Sequence, residues 1–335
     1  MMINDCTIRP YQLPFEQPWN SNHGTHTIRQ GFLVELKDEA GNYSCGEAAP
    51  LAEMGTESLV QCGNGLKNLK EVTLHHCAEE LISQLEPYRK NHPALCCGVE
   101  SAAVELLAKQ NHLTLGQWLS GGSPNQIHVN QILPAIDSSA IDPAGSHIIK
   151  LKLGIAPIQQ ELSQIQQLAL HLSPNQRLRL DANQAWHYDE AAHFLSQLHS
   201  LPIESIEEPL QNPTLESIDQ LQQQCPAPIA LDESVRQIGI TEILDHGSLQ
   251  RVVLKPMLLG GPRTTFLLAQ QFQKAGIETV ITSTLESSIG IVSAAYCAAA
   301  ADPRQQQAHG LDTAHYFSED LTLAPRIKNG ILHLP

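Results

Sequence analysis

The stretch HIIKLKLG, His147–Gly154, holds two lysines inside an apolar run. Strand side chains alternate, so Lys150 and Lys152 point one way while Ile149, Leu151 and Leu153 point the other. On an exposed antiparallel edge such a pattern is an ordinary solvated face. In a strand buried on both sides, two lysines on one face need a polar interior to point into. The neighbouring segments decide which case applies.

From residue 126 onward, short apolar runs recur: IHVNQIL, HIIKLKLG, RLRLDAN, SIEEP, IALDES, RVVLKP and ETVITSTLES. Helical stretches such as QQELSQIQQLALHL, DEAAHFLSQLHSL and TTFLLAQQFQKAG separate them. Alternation with a period of about 25 residues implies βαβ units and a parallel sheet covered by helices. Strands in such sheets are buried on both faces, as these continuous apolar runs require. Seven units nearly close a barrel, and His309-Gly310-Leu311 offers an eighth strand. A doubly wound open sheet is the competitor, but no G-x-G-x-x-G follows the first strand. The expected fold is α/β, a modified (β/α)7β TIM-type barrel.

Before residue 126 the pattern differs. TIRPYQL and FLVELKDEAGNYSCGEA alternate as strands, the second folding into a hairpin at Glu39–Asn42. Helices follow from near Glu57, through CAEELISQLEPY and through VESAAVELLAKQ. The expected organisation is an α+β capping domain over 1–122, the barrel over 123–310, and a C-terminal segment, 311–335, returning to the cap.

The 335 residues carry a net charge of −15, with 42% hydrophobic and 16% charged residues. That balance disfavours nucleic acid and anionic membranes as partners, so a small anionic substrate must meet a local positive site. The segment MMINDCTIRP lacks the features of a secretory signal, and no run is long enough for a membrane helix. Eight cysteines without a C-x-x-C pair read as free thiols in a reducing cytoplasm. The pairs His23 with His26 and His75-His76 have no matching ligand cluster and are expected at the surface. Gly260-Gly261 is expected to be a plain βα turn.

Within the barrel, ionisable residues sit late in successive runs: Lys150 and Lys152, then Asp181, Glu207, Asp232 and Lys255, followed by Ser283–Glu286. The C-terminal ends of barrel strands are where catalysis is built. Three carboxylates converging there repel one another unless a cation lies between them. Oxygen-only donors on separate strands suit a hard divalent ion, Mg²⁺ first and Mn²⁺ as a substitute. A lysine acts as general base near neutrality once its pKa falls from ~10.4 towards ~7–8, and Lys150 beside Lys152 supplies like-charge repulsion. The combination suits removal of a proton next to a carboxylate. A Schiff-base aldolase using Lys255 is a rival, but leaves the carboxylates unexplained; a non-enzymatic binding protein is another.

These residues resemble the enolase superfamily, in which a lysine base and a Mg²⁺-bound enediolate are an established pattern. The matches are K-L-K at Lys150–Lys152, L-D-A-N at Leu180–Asn183, I-E-E-P at Ile206–Pro209, L-D-E-S at Leu231–Ser234 and V-L-K-P at Val253–Pro256. They resemble the subgroup with lysines on the second and sixth strands: muconate lactonising enzymes, dipeptide epimerases, N-acylamino-acid racemases and o-succinylbenzoate synthases. Arg177–Trp186, Leu231–Ser234, Ile281–Gly290 and the early G-E-A-A-P-L at Gly46–Leu51 most resemble the o-succinylbenzoate synthase family of menaquinone biosynthesis.

The resemblance implies a lyase that removes water from 2-succinyl-6-hydroxy-2,4-cyclohexadiene-1-carboxylate. It implies Lys152 as base and then acid, Lys255 as stabiliser of the enediolate, and Asp181, Glu207 and Asp232 as Mg²⁺ ligands. Glu208 would face away. Lys150, Arg179, Asn183, Thr282, Ser283 and Thr284 are expected to contact substrate. Cap loops around Asn20–His26 and Ala52–Thr56 would cover the site. A racemase or dipeptide epimerase would use the same groups for a 1,1-proton transfer; Gly310-Leu311-Asp312-Thr313 lacks the D-x-D expected of the epimerases.

Overall fold

The computed structural model describes every residue except Asn22, His23, His75, Pro134 and Ser248, and also leaves aside the side chains of residues 20, 21, 71 and 72. The chain opens with a long antiparallel hairpin, β1 (Ile3–Ser21) and β2 (Gly24–Asp38), to which β3 (Tyr43–Ala48) adds a third strand. The Asp38 carboxylate builds the β2–β3 turn by accepting from Ala40 N and Asn42 N, both at 2.9 Å. Helices α1 (Leu59–Thr73), α2 (Ala78–Gln84), α3 (Pro93–Gln110) and α4 (Leu115–Ser120) complete the cap. Its core joins Ile3, Val34, Leu36, Leu66, Leu81, Leu95 and Val99. Strand and helix meet where Gly46 faces Gly98, since a Cβ on Gly46 would lie 2.0 Å from the Gly98 carbonyl oxygen.

The barrel begins with β4 (Gln126–Val129) and β5 (Gln131–Leu133), one strand interrupted at Asn130. It continues through β6 (Ile148–Lys152), α5 (Ile158–Ala169), β7 (Arg177–Asp181), α6 (Tyr188–Ser196), β8 (Ile203–Glu207), α7 (Leu215–Gln222) and β9 (Ile229–Leu231). Two short helices, α8 (Ser234–Ile238) and α9 (Ile240–His246), precede β10 (Arg251–Leu254). Then come α10 (Pro256–Leu259), α11 (Pro262–Lys274), β11 (Glu278–Ile281), α12 (Ser288–Ala301) and β12 (Ala308–His309). Strands β5 to β11 form one parallel sheet in chain order. Closure is completed by β12, which pairs parallel with β4 and bridges β11 through Thr282 and Gly310.

Side-chain alternation fixes what each face sees. Ile149 and Leu151 are fully buried beneath the helices, with Leu162, Ile165 and Leu168 of amphipathic α5 in the same core. The opposite face of these strands points into the barrel, where Ala230, Val253 and Val280 make a small cluster. Cap and barrel are joined through α3: Glu100 accepts from Thr264 N and Thr264 Oγ1, and Arg89 donates to the Gly260 carbonyl. The Gly260-Gly261 turn is therefore a docking point for the cap as well as a βα turn. Both glycines take positive φ, and a Cβ on Gly261 would lie 2.3 Å from Glu100 Oε1.

Beyond β12 the chain touches the cap, where Phe317 pairs with Phe15 and Ser318 N donates to the Pro14 carbonyl at 3.0 Å. It then forms β13 (Ile327–Lys328) and β14 (Ile331–His333), and β14 pairs antiparallel with β4. All eight cysteines are free. No helix among the described residues is long and apolar enough to cross a membrane. His23 and His75 lie outside the described residues. His26 is half-buried and engaged with Glu53 rather than simply surface-exposed.

Candidate active site

Register puts the ionisable residues level with one another. In the parallel pairs, Lys152 stands opposite Asp181, Asp181 opposite Glu207, and Glu207 opposite Ala230, two residues before Asp232. Neighbouring strands lie about 4.8 Å apart, so side chains at these strand ends meet. Lys150 Nζ is 2.8 Å from Asp181 Oδ2 and 2.7 Å from Glu207 Oε1. Lys255 Nζ is 2.5 Å from Asp232 Oδ2 and 3.7 Å from Glu233 Oε1.

The three lysines differ in environment. Burial opposes the charged form of Lys150, but Asp181 and Glu207 outweigh it and hold its pKa above the ordinary lysine value. Lys255 is likewise held up, with burial overcome by Asp232 and Glu233. Lys152 has no carboxylate partner at ion-pair distance among the described residues. Its surface reaches water, yet it sits deep among protein atoms. That desolvation, with the Lys150 and Lys255 charges, lowers its pKa against the opposing pull of Asp181 and Glu207. The base expected from the sequence is thus the one of the three lysines whose pKa its surroundings lower.

Lys150, Lys152, Asp181, Asn183, Asp232, Lys255, Thr282, Ser283 and Thr284 line one cavity of about 120 Å³. Glu207 lies beneath its wall, bonded to Lys150. Arg179 is not brought to the cavity. It is 2% exposed, one layer down the barrel, with Nε 3.0 Å from Glu204 Oε2 and Nη1 donating to the Ala308 carbonyl at 2.9 Å. Although burial opposes it, the positive charge of Arg179 and Arg251 pulls Glu204 down to about 2. Arg179 therefore serves an internal ion-pair network.

The cap supplies Met54, from the Ala52–Thr56 loop expected to cover the site, and Trp19, which the sequence did not single out. Trp19, from the far end of β1, and Met54 line the cavity, and Lys152 Nζ stands 5.6 Å from the centre of the Trp19 ring. A wider vestibule of about 890 Å³ shares Trp19, Met54, Lys152, Asp232 and Glu233 with it. Two contacts fasten the cap segments there: His26 Nε2 to Glu53 Oε1 at 2.5 Å, and Arg236 Nη1 donating to the Gly55 carbonyl at 2.7 Å.

Glu208 was expected to face away from the site, and it does leave the carboxylate cluster, but for a purpose. Its φ of 45° turns it towards β9. There Oε1 accepts from Asp232 N (2.6 Å) and Ser234 N (2.8 Å), and Oε2 accepts from Ser234 Oγ (2.7 Å). It anchors the backbone that presents Asp232. Of seven non-glycine residues with positive φ among the described residues, Asn183, Gln184, Glu208 and Leu285 stand just beyond β7, β8 and β11 at this mouth. Such conformations gather where surrounding structure imposes them.

Among the described residues, no three His, Cys, Asp or Glu side chains are disposed as a ready metal cage, and lysines engage oxygens of all three carboxylates. The donor chemistry nevertheless fits a hard divalent cation. Three carboxylates end adjacent strands, and burial together with Glu207 pushes the Asp181 carboxyl up, a strain that added positive charge relieves.

Residues 137–335 match the family described as enolase C-terminal domain-like, and residues 3–106 match the MenC N-terminal domain. The chain is 30% identical over 326 residues to o-succinylbenzoate synthase of Aliivibrio fischeri (strain MJ11), covering 95% of this chain and 93% of that protein. It is 26% identical over 320 residues to the hydrophobic dipeptide epimerase of Enterococcus faecalis (strain ATCC 700802 / V583), covering 90% and 88%. The solved L-Ala-D/L-Glu epimerase from Bacillus subtilis superposes with a TM-score of 0.89 at 22% identity, covering 100% of this chain and 97% of that one.

Proposed function

The chain belongs to the enolase superfamily, and from that premise we propose that it is an o-succinylbenzoate synthase acting in menaquinone biosynthesis. The observation that carries the chemistry is the contrast between two lysines lining one cavity: Lys152, without an ion pair among the described residues, and Lys255, ion-paired with Asp232. The choice of substrate is supported by the MenC N-terminal match and by the synthase relatives covering nearly the whole chain.

On this reading the substrate carboxylate binds between Lys150 and Lys255, with its α-carbon facing Lys152. The Lys152 amine takes the C1 proton, and the electron pair moves into the carboxylate, giving an enediolate whose charge the Lys255 ammonium balances. The Lys152 ammonium then returns the proton to the departing C6 hydroxyl on the same face. The C6–O bond breaks, water leaves and the ring becomes aromatic. A general base of this kind contributes roughly 10²–10⁴-fold to rate. Asp181, Glu207 and Asp232 would hold Mg²⁺, which when bound would supply further positive charge beside the substrate carboxylate.

A 1,1-proton transfer is the second reading, favoured by lysines on opposite sides of the mouth and by the epimerase relatives. It asks Lys255, which lines the same cavity as Lys152, to exchange protons with the α-carbon. The test is a spectrophotometric assay with the cyclohexadiene carboxylate and Mg²⁺ beside an assay of N-succinyl amino acid racemisation. Rapid aromatisation with slow racemisation supports the synthase. Efficient racemisation with negligible dehydration moves the function to 1,1-proton transfer.

A further inference from the structure

Between the cap and the end of β11 lies a buried arginine that the chemistry above does not use. Arg29, in β2, is 4% exposed, and its guanidinium meets main-chain carbonyls on both sides of the cap–barrel boundary. On the barrel side, Nε donates to the Leu285 carbonyl at 2.9 Å and Nη2 to that of Thr284 at 3.3 Å. On the cap side, Nη1 donates to the Pro50 carbonyl at 2.7 Å and the Gln30 carbonyl at 3.1 Å, and Nη2 to that of Ala49. Taking a cation out of water is costly unless its protons find acceptors. Here three separate stretches of backbone supply them.

Two of those stretches border the reaction cavity. Thr284 and Leu285 line it, and Leu285 takes a φ of 61°. A bulky side chain adopts that conformation only where its surroundings impose it, and the bonds from Arg29 to its carbonyl and to the one before it do so. Ala49 and Pro50 lead into the loop that carries Met54 to the same cavity. The Ala49 N donates to Met257 Sδ at 3.4 Å, two residues beyond Lys255. The turn after Leu285 is also held from the cap, where Glu47 of β3 accepts from Ser287 N and Gly290 N, both at 2.9 Å. Trp19, Arg29, Pro50 and Leu285 border a second cavity of about 110 Å³, so these segments have room to shift once the fork is removed.

We propose that Arg29 is a positioning residue: its planar fork sets the separation between the Ala49–Pro50 segment of the cap and the Thr284–Leu285 turn of the barrel, and so fixes the width of the cavity that Lys152 faces. A lysine at this place keeps the charge but offers a single point that cannot span both segments. Lys152 and Lys255 stand at the ends of β6 and β10, outside the gripped segments. Loss of the fork therefore spares the geometry of proton removal and spoils the fit of the bound substrate. The inference rests on this cavity as the reaction site and on neither proposed substrate in particular.

The experiment compares wild type, Arg29→Lys and Arg29→Ala in MgCl2 by two measurements. One is steady-state kinetics on whichever of the cyclohexadiene carboxylate and an N-succinyl amino acid the wild type turns over. The other is hydrogen exchange of the unliganded chain, read by mass spectrometry. Both variants should raise KM by about tenfold or more and change kcat less than about threefold. Amides of 49–56 and 282–287 should exchange at least about tenfold faster, while those of β6, β7 and β8 keep wild-type protection. A merely structural residue would lower Tm and speed exchange throughout, leaving KM of the folded enzyme unchanged. That pattern, wild-type KM and local exchange in Arg29→Lys, a loss confined to kcat, or failure of both variants to fold would each overturn the proposal. Turnover of neither substrate by the wild type would sink the proposed function and leave the exchange measurement to decide Arg29.

Discussion

Removing the Glu208 carboxylate tests whether this buried residue holds the Asp232 strand end in place. In Glu208→Ala, three buried donors, Asp232 N, Ser234 N and Ser234 Oγ, lose bonds of 2.6, 2.8 and 2.7 Å. An orphaned buried donor costs about 1–3 kcal/mol. Removing a buried acid also removes its own desolvation penalty, and water entering the space recovers part of the rest. We expect a net loss of about 4 kcal/mol, or roughly 2 °C of Tm per kcal/mol in a chain of this size. Burial, then the Glu233 charge, raises Glu208 to about 7, so glutamine resembles its protonated form. Glu208→Gln keeps an oxygen for the two backbone donors and should cost about 1 kcal/mol. Displacement of Asp232 by about 1 Å should lower kcat by up to roughly 10²-fold, with KM changing less. Calorimetry and steady-state aromatisation kinetics on both variants give the readout. Wild-type Tm and kcat in Glu208→Ala would refute the anchoring role.

Three further outcomes follow from the same geometry. Chelator should stop turnover and Mg²⁺ or Mn²⁺ restore it; full activity in excess EDTA would contradict the carboxylate assignment. Burial and the Glu47 charge raise Glu286 from 4.5 to about 7, against Arg29 and the Thr284 backbone bond, with Tyr11 and Cys97 also nearby. The folded state therefore holds this proton more tightly than the unfolded chain, so the stability it contributes is present below about 4.5 and is lost as pH rises to about 7. Urea unfolding of Glu286→Gln should lack that fall, and an unchanged pH profile would refute it. Arg236→Ala removes the bond to the Gly55 carbonyl and should raise KM about threefold to tenfold with a smaller change in kcat; a change confined to kcat would contradict a role in fastening the cap.

Much of the site was legible because parallel barrel strands put polar residues at their C-terminal ends, where a lysine or carboxylate in an apolar run has one place to point. Lys150, Lys152, Asp181, Asp232 and Lys255 meet as the sequence suggested. What escaped reading depended on contacts between distant segments. Arg179 shares the inward face of Asp181, and only the opposing Glu204 explains why it stays below the mouth. Glu208 looked like a bystander because alternation says nothing of a residue with φ of 45° just past a strand end. Trp19 reaches Lys152 because β1 runs on to Ser21, well past the TIRPYQL segment whose alternation marked the strand.

The account stands most directly on Lys152 as the group that takes the α-proton. Its side chain makes no ion pair among the described residues, so Lys152→Ala should keep the wild-type Tm. The measurement is single-turnover aromatisation of the cyclohexadiene carboxylate by wild type and Lys152→Ala at equal enzyme and Mg²⁺ concentration. A loss of about 10³-fold or more, with the fold intact, is the predicted result. Aromatisation by the variant within about tenfold of wild type would contradict the account.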